Sequence, residues 1–402
     1  MIADLISDRL GGDSFPAQVL GREHRVWKAP EEDRDALSHL LTWDALNHLL
    51  ATHRLNPPRL RLALDNSSVD VSAYCERRIY RRMPEWQAPV PHLLHKQLRE
   101  GATLVLDAID EMHPPIARMT CALERWLSTR IQVNAYASWT AKEGFGVHWD
   151  DHDVIVLQIS GRKRWRIYGT TREAPLHYDV DFATDIPEAP IDEFVMEAGD
   201  ILHVPRGCWH AAAASEGEPS LHLTCGLTTT TGVDFLAWLS GVLREHVHVR
   251  RDVPRFSTPV EQRKWAAELS QILSDHLARP DIVEEYRTYL DTTAQARPSF
   301  SLPTAVVGEL DARTPIRLAS HRARLEGGPD GTVVLAAQGR RWTLAGVIRP
   351  ALEQLANGAV SDAVSLHGIV PDIPVAALRS TLERLLHDGV LTIAETPRSA
   401  KP

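Results

Sequence analysis

The tripeptide His148-Trp149-Asp150 and the distant His210, which closes the run Pro205-Arg206-Gly207-Cys208-Trp209-His210, offer two imidazoles and one carboxylate to a single metal ion. That donor set is the 2-His-1-carboxylate facial triad, which holds non-haem Fe(II) on one face and leaves open positions for substrates and dioxygen. Alternate residues of a β-strand point to the same side. The spacing therefore predicts that His148 and Asp150 face one metal together while Trp149 turns away. Zinc and manganese also accept imidazole and carboxylate, but a zinc site more often carries three histidines or cysteines. Cys75, Cys121, Cys208 and Cys225 are scattered without CxxC spacing, and Cys208 reads as a small packed residue beside the site.

The flanking segments supply the elements that must position these groups. Residues 154–159 and 163–168 read as two strands joined by the turn Ser160-Gly161-Arg162. Gly199-Asp200 opens a further strand, Ile201-Leu202-His203-Val204-Pro205, and Arg206-Gly207 turns the chain so that His210 returns to the metal from a neighbouring strand. Strand alternation places Lys163, Trp165 and Ile167 on one face, read as interior, and Arg164, Arg166 and Tyr168 on the other. A close pair of ligands with a distant third is what an antiparallel barrel produces.

Several stretches resemble the JmjC-type 2-oxoglutarate oxygenases, and within them the ribosomal oxygenases. They are Gly101-Ala102-Thr103-Leu104-Val105-Leu106, Gln132-Val133-Asn134-Ala135-Tyr136, and Gly146-Val147-His148-Trp149-Asp150-Asp151-His152-Asp153-Val154. The hairpin from Leu157 to Tyr168, the run Gly199 to Gly207, and Ser220-Leu221-His222-Leu223-Thr224 continue the likeness, which covers most of residues 1–230. The resemblance implies an α+β chain built on a double-stranded β-helix, the cupin or JmjC jelly roll, with N-terminal helices, a helical middle region and a C-terminal winged-helix-like domain. It implies that His148, Asp150 and His210 bind Fe(II) and that Lys163 binds the distal carboxylate of 2-oxoglutarate. A dicarboxylate chelating iron at its keto-acid end needs a fixed cation for the other end, and an ammonium supplies one. Asn134 and Tyr136 are placed beside cosubstrate or substrate by the same likeness, and Thr224 is a further candidate for the pocket lining. His203 and Trp149 stand where the family commonly has Tyr, which implies a pocket of altered shape. His203 and His222 remain substitutes for His210 as third ligand.

The implied reaction uses 2-oxoglutarate and O2 as cosubstrates, giving succinate and carbon dioxide while a substrate C–H bond is hydroxylated. The substrate implied by the family is an amino-acid side chain in a protein or peptide, a histidine or arginine of a ribosomal protein. A natural-product precursor peptide is an alternative substrate, a non-catalytic binding module an alternative class. N-methyl demethylation needs the same chemistry, yet no aromatic cage is legible.

Composition bounds the partners. The chain has 402 residues and a net charge of −9, so direct nucleic-acid binding, which asks for a basic surplus, is not expected. A basic polypeptide suits that charge better. Unpatterned cysteines point to a reducing cytoplasm. The N-terminal decapeptide lacks the basic start of a signal peptide, and no run approaches the roughly 20 apolar residues of a membrane helix.

Along the chain, residues 36–52 read as a helix ended by Pro57-Pro58, 59–64 as a strand, and 114–129 as a helix. Residues 80–90 and 174–192 are loop candidates near the pocket and for substrate binding. Periodicity predicts helices over 233–250, 259–278 and 282–290, a region the resemblance implies is for dimerisation into a homodimer. The expected domains are 1–230, catalytic; 231–298, helical; and 304–397, winged-helix-like. In the last, strands are expected at 316–319, 332–335 and 390–393, and helices at 344–356 and 374–388. The latter helix carries two arginines against two acids, which argues for protein contact rather than groove reading.

Overall fold

The computed structural model describes residues 2–79, 86–170, 172–177, 179, 185–215 and 217–394. Its contacts divide the chain into two compact units, Met1–Thr229 and Thr230–Pro402.

The first unit is built on two facing antiparallel sheets. The larger runs, in spatial order, Arg25–Trp27, Ile201–Val204, Asp153–Ser160, Ser220–Leu227, Ile131–Ser138, Thr103–Leu106, Leu60–Leu64 and Ser67–Ser68. The smaller consists of Asp192–Met196, Lys163–Thr170 and Cys208–Ala214. Period-two sequences explain which side each residue takes. Ile131, Val133, Ala135 and Ala137, with Ile155, Leu157, Ile159, Leu221, Leu223 and Cys225, join one core with residues of the helices Ile2–Leu10, Trp43–Thr52, Pro91–Arg99 and Pro114–Leu127. The alternate residues Val154, Val156, Leu202 and Val204 meet Trp165, Ile167, Met196 and Cys208 in a second core between the sheets. A strand buried on both sides reads as a near-continuous apolar run, and Val-Ile-Val-Leu-Gln-Ile at 154–159 is one.

The hairpin 153–170 turns at Gly161, whose φ is +67° and where an added Cβ would lie 1.8 Å from the Pro219 carbonyl oxygen. Only glycine fits there. The Gly199-Asp200 turn has a second anchor: the buried Asp200 carboxylate accepts from Glu197 N and Ala29 N, each at 2.8 Å, tying the N-terminal segment to the sheet.

The expected helix over 36–52 is instead a short 3-10 turn, Ser38–Leu40, and a separate helix, Trp43–Thr52. Thr42 makes the division, since its hydroxyl accepts from Ala45 N at 3.1 Å and caps the second helix. The 233–250 stretch likewise divides into Gly232–Val242, Leu243–Glu245 and Val247–Arg250.

The second unit continues with helices Pro259–Leu277 and Ile282–Thr293. The Asp291 carboxylate, buried near the end of the latter, is held by Arg322 at 2.8 Å and by Arg324. A winged-helix-like part follows: Ile316–Leu318 pairs with Leu391–Ile393, and Arg324–Gly327, Val333–Ala337 and Arg340–Leu344 form a second small sheet. Helices Arg349–Ala356, Ala363–Ile369 and Val375–His387 complete its core. The helix expected over 344–356 begins only at Arg349, after the strand Arg340–Leu344 and the 3-10 turn Gly346–Ile348, and the helix Ala363–Ile369 was not expected. No helix among the described residues is long and apolar enough to cross a membrane.

Candidate metal centre and its cleft

His148, Asp150 and His210 converge, each offering one ligand atom, with all three atoms within 4.8 Å of one another. The imidazole rings of His148 and His210 are 4.4 Å apart, and His210 Nε2 is 3.7 Å from Asp150 Oδ2. The backbone carries this arrangement. His148 and His210 exchange both N–H to carbonyl bonds, at 3.0 and 2.8 Å, and Gly207 N donates to the Asp150 carbonyl at 2.8 Å. The expected strand through His148 and Asp150 is thus a single antiparallel bridge followed by irregular chain, not a regular strand. A bulge between Trp209 and His210 in the opposite strand disturbs the register at this point.

The histidines are set in one tautomer. His148 Nδ1 lies 3.1 Å from the Gly146 carbonyl and His210 Nδ1 2.9 Å from the Cys208 carbonyl. A carbonyl only accepts, so both Nδ1 atoms carry hydrogen and both Nε2 lone pairs are left for a cation. Burial, then the neighbouring His148, pushes His210 down to about 4, so it is neutral at physiological pH. Two imidazoles with free Nε2 lone pairs beside a carboxylate suit a divalent metal.

Along the inner face of the Lys163–Thr170 strand, Lys163 and Trp165 run away from this cluster, and the ring of Trp165 lies 5.8 Å from that of His210. Lys163 is 2% exposed, with Ser138 Oγ at 2.7 Å as its hydrogen-bond acceptor and no carboxylate partner among the described residues. Desolvation pushes its ammonium down to about 7. On the opposite face Arg164 and Arg166 pair with Glu193 and Glu143. Tyr136 stacks on His222 with centroids 4.9 Å apart and ring planes 2° from parallel, and burial, then Asp150, raises its phenol to about 12.

Asn134 uses its amide oxygen within the fold, accepting from Ala108 N at 2.9 Å and Gln132 Nε2 at 3.1 Å, and its side chain also bonds Tyr136. Thr224 is half-buried and sits opposite Asn134 in the sheet register. Phe145 joins the surround, edge-on to Tyr136 and under the Arg61 guanidinium. Arg61, Phe145 and Ser138 were not singled out from sequence; for Ser138 the signal was there, since Asn134, Tyr136 and Ser138 alternate on one strand.

Two expectations need correction. His203 does not border this cleft: it lies on the other face of its strand, with Nδ1 donating to the Glu23 carbonyl at 2.9 Å and its ring edge-on to Phe15. It is therefore no substitute ligand, and neither is His222, which stands beside Tyr136 and Trp165 outside the converging group. Trp149 packs with Val147 around Tyr168, Trp209 and Ala211 on the side away from the metal ligands. Of the loop candidates, residues 80–85, 178 and 180–184 lie outside the described residues. The described part of the second loop sits over the ligand turn: a Cβ on Gly207 would meet Pro175 at 2.6 Å, and the His177 ring is paired with Asp151.

Two facing antiparallel sheets with two histidines and a carboxylate converging at one end of the interior make a cupin-like, JmjC-type fold. Residues 110–235 match the family model described as JmjC domain. Among curated relatives it is 28% identical over 228 residues to the bifunctional lysine-specific demethylase and histidyl-hydroxylase NO66 of Dictyostelium discoideum, covering 56% of this chain and 42% of that one. It is 30% identical over 196 residues to human ribosomal oxygenase 1, covering 46% and 30%. The chain thus spans less than half the length of either. The same fold occurs in the Escherichia coli ribosomal oxygenase YcfD solved with cobalt and 2-oxoglutarate, with a TM-score of 0.56, 18% identity, and 95% and 98% of the two chains covered.

Proposed function

We propose that this chain is an Fe(II)- and 2-oxoglutarate-dependent hydroxylase of an amino-acid side chain in a protein or peptide. The observation that carries the reading is Lys163, an ammonium buried without a counter-ion among the described residues, on the same interior face that leads to the metal ligands. A buried cation is costly unless paired, and the distal carboxylate of 2-oxoglutarate supplies the missing charge. His148, Asp150 and His210 would hold the iron, with Asn134, Tyr136 and Thr224 bordering the cosubstrate. Bound iron with 2-oxoglutarate and O2 supplies the oxidising power, and the cosubstrate leaves as succinate and carbon dioxide while one oxygen atom enters a substrate C–H bond. The chain's own part is to fix the imidazole tautomers and to meet the distal carboxylate with the Lys163 ammonium.

A ribosomal protein is the substrate class that the names of the relatives support, and a net charge of −9 favours a basic polypeptide over nucleic acid. Within the 174–192 candidate for substrate contact, Pro175 lies against Gly207, beside the ligand turn, which supports that reading. We take 1–230 as the catalytic domain, 231–298 as a dimerisation region of a homodimer, and 304–397 as a winged-helix-like domain. Four free cysteines accord with a cytoplasmic location.

Anaerobic titration of the apoprotein with Fe(II) and then 2-oxoglutarate tests the centre by the visible charge-transfer band of the chelated keto acid. His210→Ala should abolish tight Fe(II) binding. Lys163→Ala should keep Fe(II) and weaken 2-oxoglutarate by roughly 10²-fold, the scale of a lost buried charge pair. Arg164→Ala, on the outer face, should change neither. Equal loss from Lys163→Ala and Arg164→Ala would refute the assignment.

A further inference from the structure

We propose that His222 is a positioning residue for the dicarboxylate cosubstrate, its imidazole N–H giving the distal carboxylate a second, neutral donor beside Lys163. The inference rests on the oxygenase reading above and adds a residue and a selectivity to it.

His222 is 3% exposed, and its Nδ1 has no hydrogen-bond partner among the described residues. Trp165 is 4% exposed, and its Nε1–H is equally unpartnered. The two rings are 5.9 Å apart, and Trp165 in turn lies 5.8 Å from the candidate ligand His210. Native interiors rarely leave two neighbouring polar atoms unsatisfied, and such pairs mark a place where something else completes the bonding. The Trp165 indole can only donate, and Lys163 can only donate. The missing partner is therefore rich in acceptors.

The imidazole is held for this purpose. It stacks flat on Tyr136, its direct cross-strand neighbour, so the ring has little freedom to turn. Burial, then the charge of Lys163, keeps His222 well on the neutral side, with one N–H to give. A neutral donor next to a single ammonium completes a carboxylate's bonding without placing a second buried charge in the fold. The pair thereby discriminates by ligand end: a keto acid with a distal carboxylate gains both contacts, while one ending in a methyl group gains neither and leaves the donors bare.

The test compares 2-oxoglutarate with 2-oxovalerate, which keeps the chelating keto-acid end and replaces the distal carboxylate by methyl. Both are titrated anaerobically into the Fe(II)-loaded full chain, reading the charge-transfer band. His222→Phe retains the stacking ring and removes the donor. It should weaken 2-oxoglutarate about tenfold, the scale of one lost hydrogen bond to a charged group, with Fe(II) and 2-oxovalerate affinities unchanged. His222→Gln, which restores an N–H, should recover part of the loss. Unchanged 2-oxoglutarate affinity in His222→Phe, or equal weakening of both keto acids, overturns the proposal. Loss of Fe(II) binding in His222→Phe would make His222→Gln decide: normal Fe(II) with selectively weakened 2-oxoglutarate supports the role, and parallel loss of both refutes it. Absence of any band in the unmodified chain overturns the oxygenase reading instead.

Discussion

At the scale of single residues, the cleft holds a group whose burial works against the fold. The desolvated Lys163 titrates near 7, whereas a lysine in an unfolded chain titrates near 10.4. Between those values the unfolded chain binds a proton that the native one does not, so native stability rises with pH across that interval and is lowest below about 7. The deficit is roughly 3–5 kcal/mol when fully developed. Lys163→Met removes the titration and keeps the apolar stem. It should raise the thermal midpoint at pH 7 by at least about 4 °C, on the scale of 2–4 °C per kcal/mol for a unit of this size. The advantage should shrink as pH approaches 10. A melting curve that is lower or pH-independent would refute this account. The same sign governs ligand binding. A carboxylate selects the ammonium, so 2-oxoglutarate affinity should fall as pH rises above about 7, by up to about tenfold per unit.

At the scale of elements, the ligand turn and the loop above it form one piece. Gly207 has φ +74°, donates its N–H to the Asp150 carbonyl and leaves no room for a Cβ under Pro175. Gly217 has the same φ, yet nothing lies within 4 Å of its added Cβ. Both Gly→Ala changes carry the left-handed backbone cost of about 1–2 kcal/mol, but only Gly207→Ala should also displace the loop. Trypsin should then cut faster after Arg172 and Fe(II) affinity should drop several-fold. Matching behaviour of the two variants would show that Pro175 does not rest on this turn. How far the elements were legible follows from their periods. Lys163, Trp165 and Ile167 alternate strictly with outward arginines, so their face could be read without coordinates. His203 alternates too, with Leu202 and Val204 facing the inter-sheet core, but a resemblance-based reading put it by the pocket and overrode that pattern. The helix Ala363–Ile369 has seven residues and a glycine, too short a span for a 3.6-residue period to show. Its start signal, Asp362 accepting from Ser365 N at 2.7 Å, was nonetheless visible as a capping pair. Ala108, which donates to Asn134, and Asp107, which pairs with Arg61, lie 26 and 46 positions away in sequence, and no local pattern announces such contacts.

At the scale of the whole molecule, the segment after Thr229 exposes apolar surface that a solitary chain has no reason to keep. The helix Gly232–Val242 is apolar nearly all round but buries only Leu239, leaving Val233 and Leu236 more than half exposed. Phe256 is 95% exposed, and Val247, Val253 and Val260 are open as well. A helix apolar on every side is normally enclosed, and clustered exposed side chains of this kind mark association surfaces. A symmetric dimer brings the same patch of both copies together, so one substitution acts twice in the interface. Sedimentation equilibrium should therefore show a dimer for the unmodified chain at micromolar concentration, and a monomer for the double change Val233→Glu with Leu236→Glu. Those charges lie in the second unit, away in sequence from every candidate ligand, so the monomer should still bind Fe(II) and give the 2-oxoglutarate band. A monomeric unmodified chain would refute the dimer, and loss of the band on monomerisation would show that the cleft depends on the second copy.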